Sequence, residues 1–76
     1  MRKTIHSKQA AKLCALLSSA RKKADLTQQE LADHLGKPQS FVAKYELGER
    51  RIDVIEFLEI AKILKVDPTQ IIQKMG

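Results

Sequence analysis

Residues 28–50 read QQELADHLGKPQSFVAKYELGER, and this stretch decides the fold. Leu31, Ala32 and Leu35 recur at helical spacing and form one apolar face. Gly36 follows where a helix needs a left-handed residue to close it. Pro38 fixes φ at the start of a further helix, from about Gln39 to Glu46, and Gly48 ends it. Phe41, Val42 and Tyr45 recur along that helix, with Val42 and Tyr45 directed inward. Two short amphipathic helices joined by a tight turn make a helix-turn-helix over about residues 28–47.

The surrounding sequence supplies three more helices. Thr27 precedes the unit, and Thr27-Gln28-Gln29-Glu30 fits a capping box in which Thr27 and Glu30 satisfy each other's backbone N–H. Upstream, Ala10, Leu13, Cys14, Leu16, Leu17, Ala20 and Ala24 keep helical spacing, predicting a first helix over 8–24. Downstream, Asp53 and Glu56 form a second capping box and open a fourth helix to about Lys65. That helix carries two apolar stripes, Val54/Phe57/Leu58/Ala61/Leu64 and Ile55/Ile60/Ile63. One small domain rarely buries both sides of a helix, so either the helix is central or one stripe meets a partner. Asp67 and Pro68 start a fifth helix with Ile71, Ile72 and Met75 on its apolar face. No strand, repeat or internal linker is predicted. The expected architecture is all-α: a flexible basic arm at 1–7 and one compact domain over 8–76.

With 76 residues, 43% of them hydrophobic, the chain supports a single small core. No run approaches the ~18 apolar residues of a membrane helix. The N-terminal MRKTIHSKQAAK lacks the apolar segment of a secretory signal, so a cytoplasmic location is expected. The one cysteine, Cys14, has no internal partner and reads as a small buried hydrophobe. Net charge is +5, and its distribution is uneven. Residues 1–25 carry seven basic and one acidic residue, a net +6; residues 26–76 carry seven basic and eight acidic, a net −1. A basic face of this kind suits a polyanion such as DNA.

Catalytic chemistry is not legible. His6 and His34 have no cysteine or carboxylate at metal-ligand spacing, so no metal or cofactor is expected. No nucleophile–base set and no glycine-rich phosphate loop occurs. Glu56 and Glu59 read as a solvated helix face. No enzyme and no small-molecule ligand is inferred.

The segment Gln28–Leu47 resembles the helix-turn-helix of the phage repressor, Cro and XRE family. Leu31, Ala32, Leu35, Gly36, Val42 and Tyr45 match its inward pattern. The Glu46-x-Gly48 turn and the DP-x-x-I start of the last helix extend the resemblance over about Leu13–Ile72. Lys37 and Pro38 depart from it, standing where the family usually has an apolar residue and a Ser or Thr cap. The resemblance implies a five-helix lambda-repressor-like domain whose third helix enters the DNA major groove. Gln39, Ser40 and Lys44 then become base-reading candidates. Gln39 can pair two-pronged with adenine, and Lys44 can donate to guanine. Phe41 is open between contact with a thymine methyl and packing. Gln28, at the start of the second helix, is implied to bind a phosphate, and Lys37, Arg21, Arg50 and Arg51 are further phosphate candidates. The resemblance also pairs Arg21 with Glu46.

The function these readings imply is a sequence-specific transcriptional regulator of double-stranded DNA. A homodimer on a palindromic operator is expected, because a lone module makes few contacts. Ile55, Ile60, Ile63, Ile71 and Ile72 are the expected dimer surface. The alternative is the antitoxin of a toxin–antitoxin pair, which would bind a toxin protein and autoregulate its operon. An antitoxin usually adds a toxin-binding extension, a role left here to the N-terminal arm.

Overall fold

The computed structural model describes residues 8–75. The expected basic arm, 1–7, lies outside them. Five helices follow in order: α1 Lys8–Lys23, α2 Gln28–Leu35, α3 Gln39–Glu46, α4 Val54–Leu64 and α5 Pro68–Met75. No strand occurs among the described residues. The all-α, five-helix expectation is met.

Local signals account for the helix starts. Both capping boxes form: Thr27 Oγ1 accepts from the Glu30 N–H at 3.0 Å while Glu30 Oε1 accepts from the Thr27 N–H at 2.8 Å. Asp53 and Glu56 repeat the arrangement at 2.7 and 3.0 Å. Pro38 precedes α3 without a side-chain cap.

The ends of α1 to α4 share one device, a left-handed residue followed by a backbone bond that spans it. Gly36 and Gly48 take it at φ 70° and 77°. Asp25 and Lys65 take it at φ 63° and 59° to close α1 and α4. Lys37 N–H then reaches the Ala32 carbonyl, Glu49 N–H that of Lys44, Leu26 N–H that of Arg21, and Val66 N–H that of Ala61. The first helix therefore stops at Lys23, leaving Ala24 exposed rather than on the apolar face.

The core draws on every helix. Leu17 of α1, Leu31 and Ala32 of α2, Val42 and Tyr45 of α3, and Ile60 of α4 are fully buried. Cys14 is buried with them, and burial pushes its thiol above the ordinary range. α2 packs on α3 and α4, while α1 bridges α3, α4 and α5.

The inward face of α4 is Phe57, Ile60, Ala61 and Leu64, at spacings of three and four. This face takes members from both predicted stripes. Ile60 is 0% exposed and Ile71 is buried, so neither can form a dimer surface. Ile63 is half-buried against the core. Val54, Ile55 and Leu58 instead form an exposed strip on α4, with Ile72 exposed on α5. The correction follows from helix geometry and position: residues 57, 60, 61 and 64 share one face, which turns 55 and 58 away from it, while Val54 is exposed as the first residue of the helix.

Tyr45 packs edge-on against Phe41, ring centroids 5.6 Å apart. Its hydroxyl is buried with no partner among the described residues, and desolvation pushes its pKa well above the ordinary tyrosine value. A buried donor left unpaired costs roughly 1–3 kcal/mol. Tyr45→Phe removes the hydroxyl and keeps the ring. Thermal unfolding is expected to show a midpoint raised by roughly 4–8 °C, the shift that about 1 kcal/mol produces in a domain of this size. A lowered midpoint would mean that the hydroxyl has a stabilising partner in solution.

Candidate nucleic-acid interface

The two faces of α3 have different chemistry. Phe41, Val42 and Tyr45 point into the core, whereas Gln39, Ser40 and Lys44 are exposed. Ser40 and Lys44 stand one turn apart, so they share a side of the helix, and Gln39 adjoins them at its start. Together they offer amide, hydroxyl and ammonium groups, a set able to donate to and accept from base edges.

Behind this face lies an ion pair. Arg21 Nε donates to Glu46 Oε2 at 2.7 Å and Nη2 donates to Glu46 Oε1 at 3.1 Å. Arg21 Nη1 donates to the Leu26 carbonyl at 2.7 Å. The Arg21 and Glu46 side chains are only 11% and 7% exposed. Burial works against the charged Glu46 carboxylate, but hydrogen bonds from Arg21 and Gln28 outweigh it and hold its pKa below the ordinary value. The Arg21–Glu46 pair is thus formed. Arg21 is not a phosphate ligand: it is buried, and all three of its nitrogens are engaged.

The same carboxylate connects to the outer face. Gln28 Nε2 donates to Glu46 Oε1 at 2.9 Å, and Gln39 Nε2 donates to Gln28 Oε1 at 2.7 Å. Ser18 Oγ adds a longer contact to Glu46 at 3.4 Å. Gln28 is therefore half-buried and tied at both ends of its amide. It also opens α2, where first-turn N–H groups and the helix dipole favour an anion. The Thr27 side chain takes only the N–H of Glu30.

A second cluster flanks α3. The Lys37 ammonium lies 5.3 Å from the centre of the Phe41 ring and the Arg50 guanidinium 4.5 Å from it. Glu56 holds Arg50 with two bonds of 3.0 Å, and Arg50 also donates to the Arg51 carbonyl at 2.6 Å. The Arg50 hydrogen bonds lower the Glu56 pKa. Two phosphate candidates thus meet around one aromatic ring, a cation–π arrangement. Phe41 is only 7% exposed and belongs to the core, which withdraws it from the base-reading candidates. Arg51 is exposed beside this cluster.

Sequence reading missed three parts. Glu56 is not merely a solvated acid, since it both caps α4 and fixes Arg50. Ser18 stands one turn before Arg21, and that spacing was the available signal. The Gln28–Gln39 bond left no signal, because two flexible amides eleven residues apart show no pattern. His34 is exposed on α2. Among the described residues, no group of three or more His, Cys, Asp or Glu side chains could hold a metal ion. No described helix is long and apolar enough to cross a membrane.

Comparison with known proteins adds the following. A family model described as helix-turn-helix matches residues 17–71. Among solved structures, an XRE-family like protein from Pseudomonas syringae pv. tomato str. DC3000 is 47% identical, with a TM-score of 0.85 over 95% of this chain and 88% of that one. The restriction-modification controller protein C.AhdI from Aeromonas hydrophila is 26% identical, with a TM-score of 0.78 over 86% of this chain and 98% of that one. The clp gene regulator ClgR from C. glutamicum shares the fold at 17% identity, with a TM-score of 0.82 over 92% and 91%. A search of curated protein sequences found no match.

Proposed function

The chain belongs to the XRE-type helix-turn-helix family of DNA-binding transcription regulators, and we propose that within it this protein is a sequence-specific regulator acting as a homodimer on a palindromic operator. Support comes above all from one observation: α3 turns Gln39, Ser40 and Lys44 outward together while its other face is locked into the core. A helix held this way can offer its first residues to base edges in the major groove. Gln39 pairs with adenine N6 and N7, Lys44 donates to guanine, and Ser40 adapts to either. Gln28, Lys37, Arg50 and Arg51 contact phosphates and set the register of α3 on the duplex. The chemistry is binding alone, without catalysis, cofactor or small-molecule ligand, and its place is the cytoplasm.

The dimer reading rests on the exposed apolar strip Val54, Ile55 and Leu58 with Ile72. A second copy of the chain covers that strip and presents a second α3 to the next half-site. Selecting bound sequences from a random DNA pool tests the whole reading. The expected product is a palindrome with half-sites about 34 Å apart, one helical turn. A single non-palindromic site would remove the dimer, and no enriched sequence would remove specific recognition.

Salt dependence tests the phosphate contacts separately. Each neutralised phosphate contributes about −0.9 to the slope of log affinity against log salt. Lys37→Ala is expected to make that slope shallower by about one and to weaken binding to all sequences alike. An unchanged slope excludes Lys37 from the interface.

A further inference from the structure

We infer that Phe41 is a positioning residue for phosphate binding: its ring holds Lys37 and Arg50, one from each loop flanking α3, as a two-cation clamp on a single DNA strand. The inference rests on the reading of Lys37 and Arg50 as phosphate ligands. Phe41 itself belongs to the core. It is 7% exposed and packs edge-on against Tyr45, which is fully buried. A ring wedged in this way is a fixed reference, whereas long cationic side chains in loops otherwise sample many rotamers.

The face of an aromatic ring is electron-rich and attracts a cation within about 6 Å of its centre. The Lys37 ammonium at 5.3 Å and the Arg50 guanidinium at 4.5 Å both meet that condition. Two like charges at one ring repel each other, and the Glu56 carboxylate bound to Arg50 offsets that repulsion. The two cationic centres can be no farther apart than those two distances laid end to end. That span falls short of the ~12 Å width of the major groove. With α3 in the groove, the pair therefore faces one wall of it, and that wall is a single phosphate strand.

Arg50 also keeps one edge unused. Nη1 donates to Glu56 and to the Arg51 carbonyl, and Nη2 donates once to Glu56. Among the described residues, nothing accepts from Nε or from the second Nη2 N–H. Those two N–H groups lie side by side, on the edge that Arg21 turns to the Glu46 carboxylate. Such a fork fits two oxygens of one phosphate, and Lys37, a point charge, suits its neighbour. Ring, carboxylate and carbonyl thus order both cations before DNA arrives, so that ordering no longer opposes binding.

The test separates the ring's charge distribution from its packing. Phe41→Leu removes the ring. Phe41→pentafluorophenylalanine keeps an apolar ring of similar shape but withdraws electrons from its face. Both should lower affinity for operator and unrelated DNA alike by about tenfold, the effect of releasing two long side chains, with base preference unchanged. In a Lys37→Ala/Arg50→Ala background, neither should lower affinity further. A folded pentafluoro variant that binds like the wild type overturns the clamp. So does an equal loss in both backgrounds, the mark of a purely structural role.

A second readout uses the free protein and needs no DNA. The ring current of Phe41 should move the Lys37 methylene protons beside the ammonium upfield of those of exposed Lys22, and Phe41→Leu should return them. Coincident shifts in the wild type overturn the clamp. If Lys37→Ala/Arg50→Ala leaves DNA affinity unchanged, the phosphate reading of these two residues fails, and the clamp's claim on DNA fails with it. In that case the proton shifts still report whether the ring holds Lys37.

Discussion

Replacing Arg21 by alanine is expected to destabilise the domain by about 3–5 kcal/mol, the cost of stranding one member of a buried ion pair. Glu46 would keep its charge in a site that is 7% exposed, with only Gln28 and the distant Ser18 hydroxyl left as donors. The Leu26 carbonyl would lose its Arg21 donor as well. Small domains have only about 5–15 kcal/mol in total, so Arg21→Ala should be largely unfolded at moderate temperature. Denaturant unfolding monitored by circular dichroism measures this directly. A loss below about 1 kcal/mol would mean that the pair is solvated in solution. Pairing Arg21→Met with Glu46→Leu should recover much of the loss, because apolar replacements of buried ion pairs are often neutral or better.

The same pair predicts the response to acid. Glu46 has a folded pKa below its ordinary value of 4.5. Its contribution is therefore complete above that value and is lost as pH falls through the lower, folded value. Stability should decline in that acidic window, and Glu46→Gln should flatten the decline while lowering stability at neutral pH. Glu56 shifts in the same direction, but its partner Arg50 is 39% exposed at the side chain, so solvent screens that pair.

The second large effect concerns assembly. Ile55 is 65% exposed on α4, so Ile55→Lys should leave the monomer folded, its thermal midpoint lowered only by the loss of the partner and no longer dependent on protein concentration. It should nonetheless abolish self-association and lower operator affinity by about 100-fold or more, since each monomer would then bind its half-site alone. Sedimentation at micromolar concentration and operator titration provide the measurements. Ile60→Ala is the contrasting variant: fully buried, it should cost about 2–5 kcal/mol of stability. If Ile55→Lys sediments as a dimer, the strip is not the interface. If the wild type is monomeric at that concentration, the dimer is excluded.

Particular residues explain how far the sequence could be read. Thr27/Glu30 and Asp53/Glu56 fixed two helix starts because a capping box is a short-range chemical pattern. Gly36 and Gly48 marked two ends because few other residues adopt positive φ readily. The Arg21–Glu46 pair came from the family resemblance, not from spacing. Ile60 was placed on the dimer surface because α4 is apolar around most of its circumference, so periodicity could not choose its inward face, whereas Ile55 and Ile72 are exposed. Phe41 stood open because position on a helix does not reveal that Lys37 and Arg50 will cover its ring. The Arg50–Glu56 and Gln28–Gln39 bonds join long side chains across loops and helices, where sequence distance carries little information.

The four left-handed helix ends divide the molecule by its tolerance of change. The two that bracket α3, Gly36 and Gly48, already use the residue best suited to that backbone. A Cβ at either would meet nothing within 4 Å, so substitution there is penalised by backbone strain alone, about 1–2 kcal/mol. The outer two, Asp25 and Lys65, bear that strain now. Glycine at either could relieve part of it, offset by the greater freedom it gives the unfolded chain. Room for evolutionary or engineered improvement in robustness therefore lies at the periphery, where it can be explored without disturbing the surface proposed to read DNA.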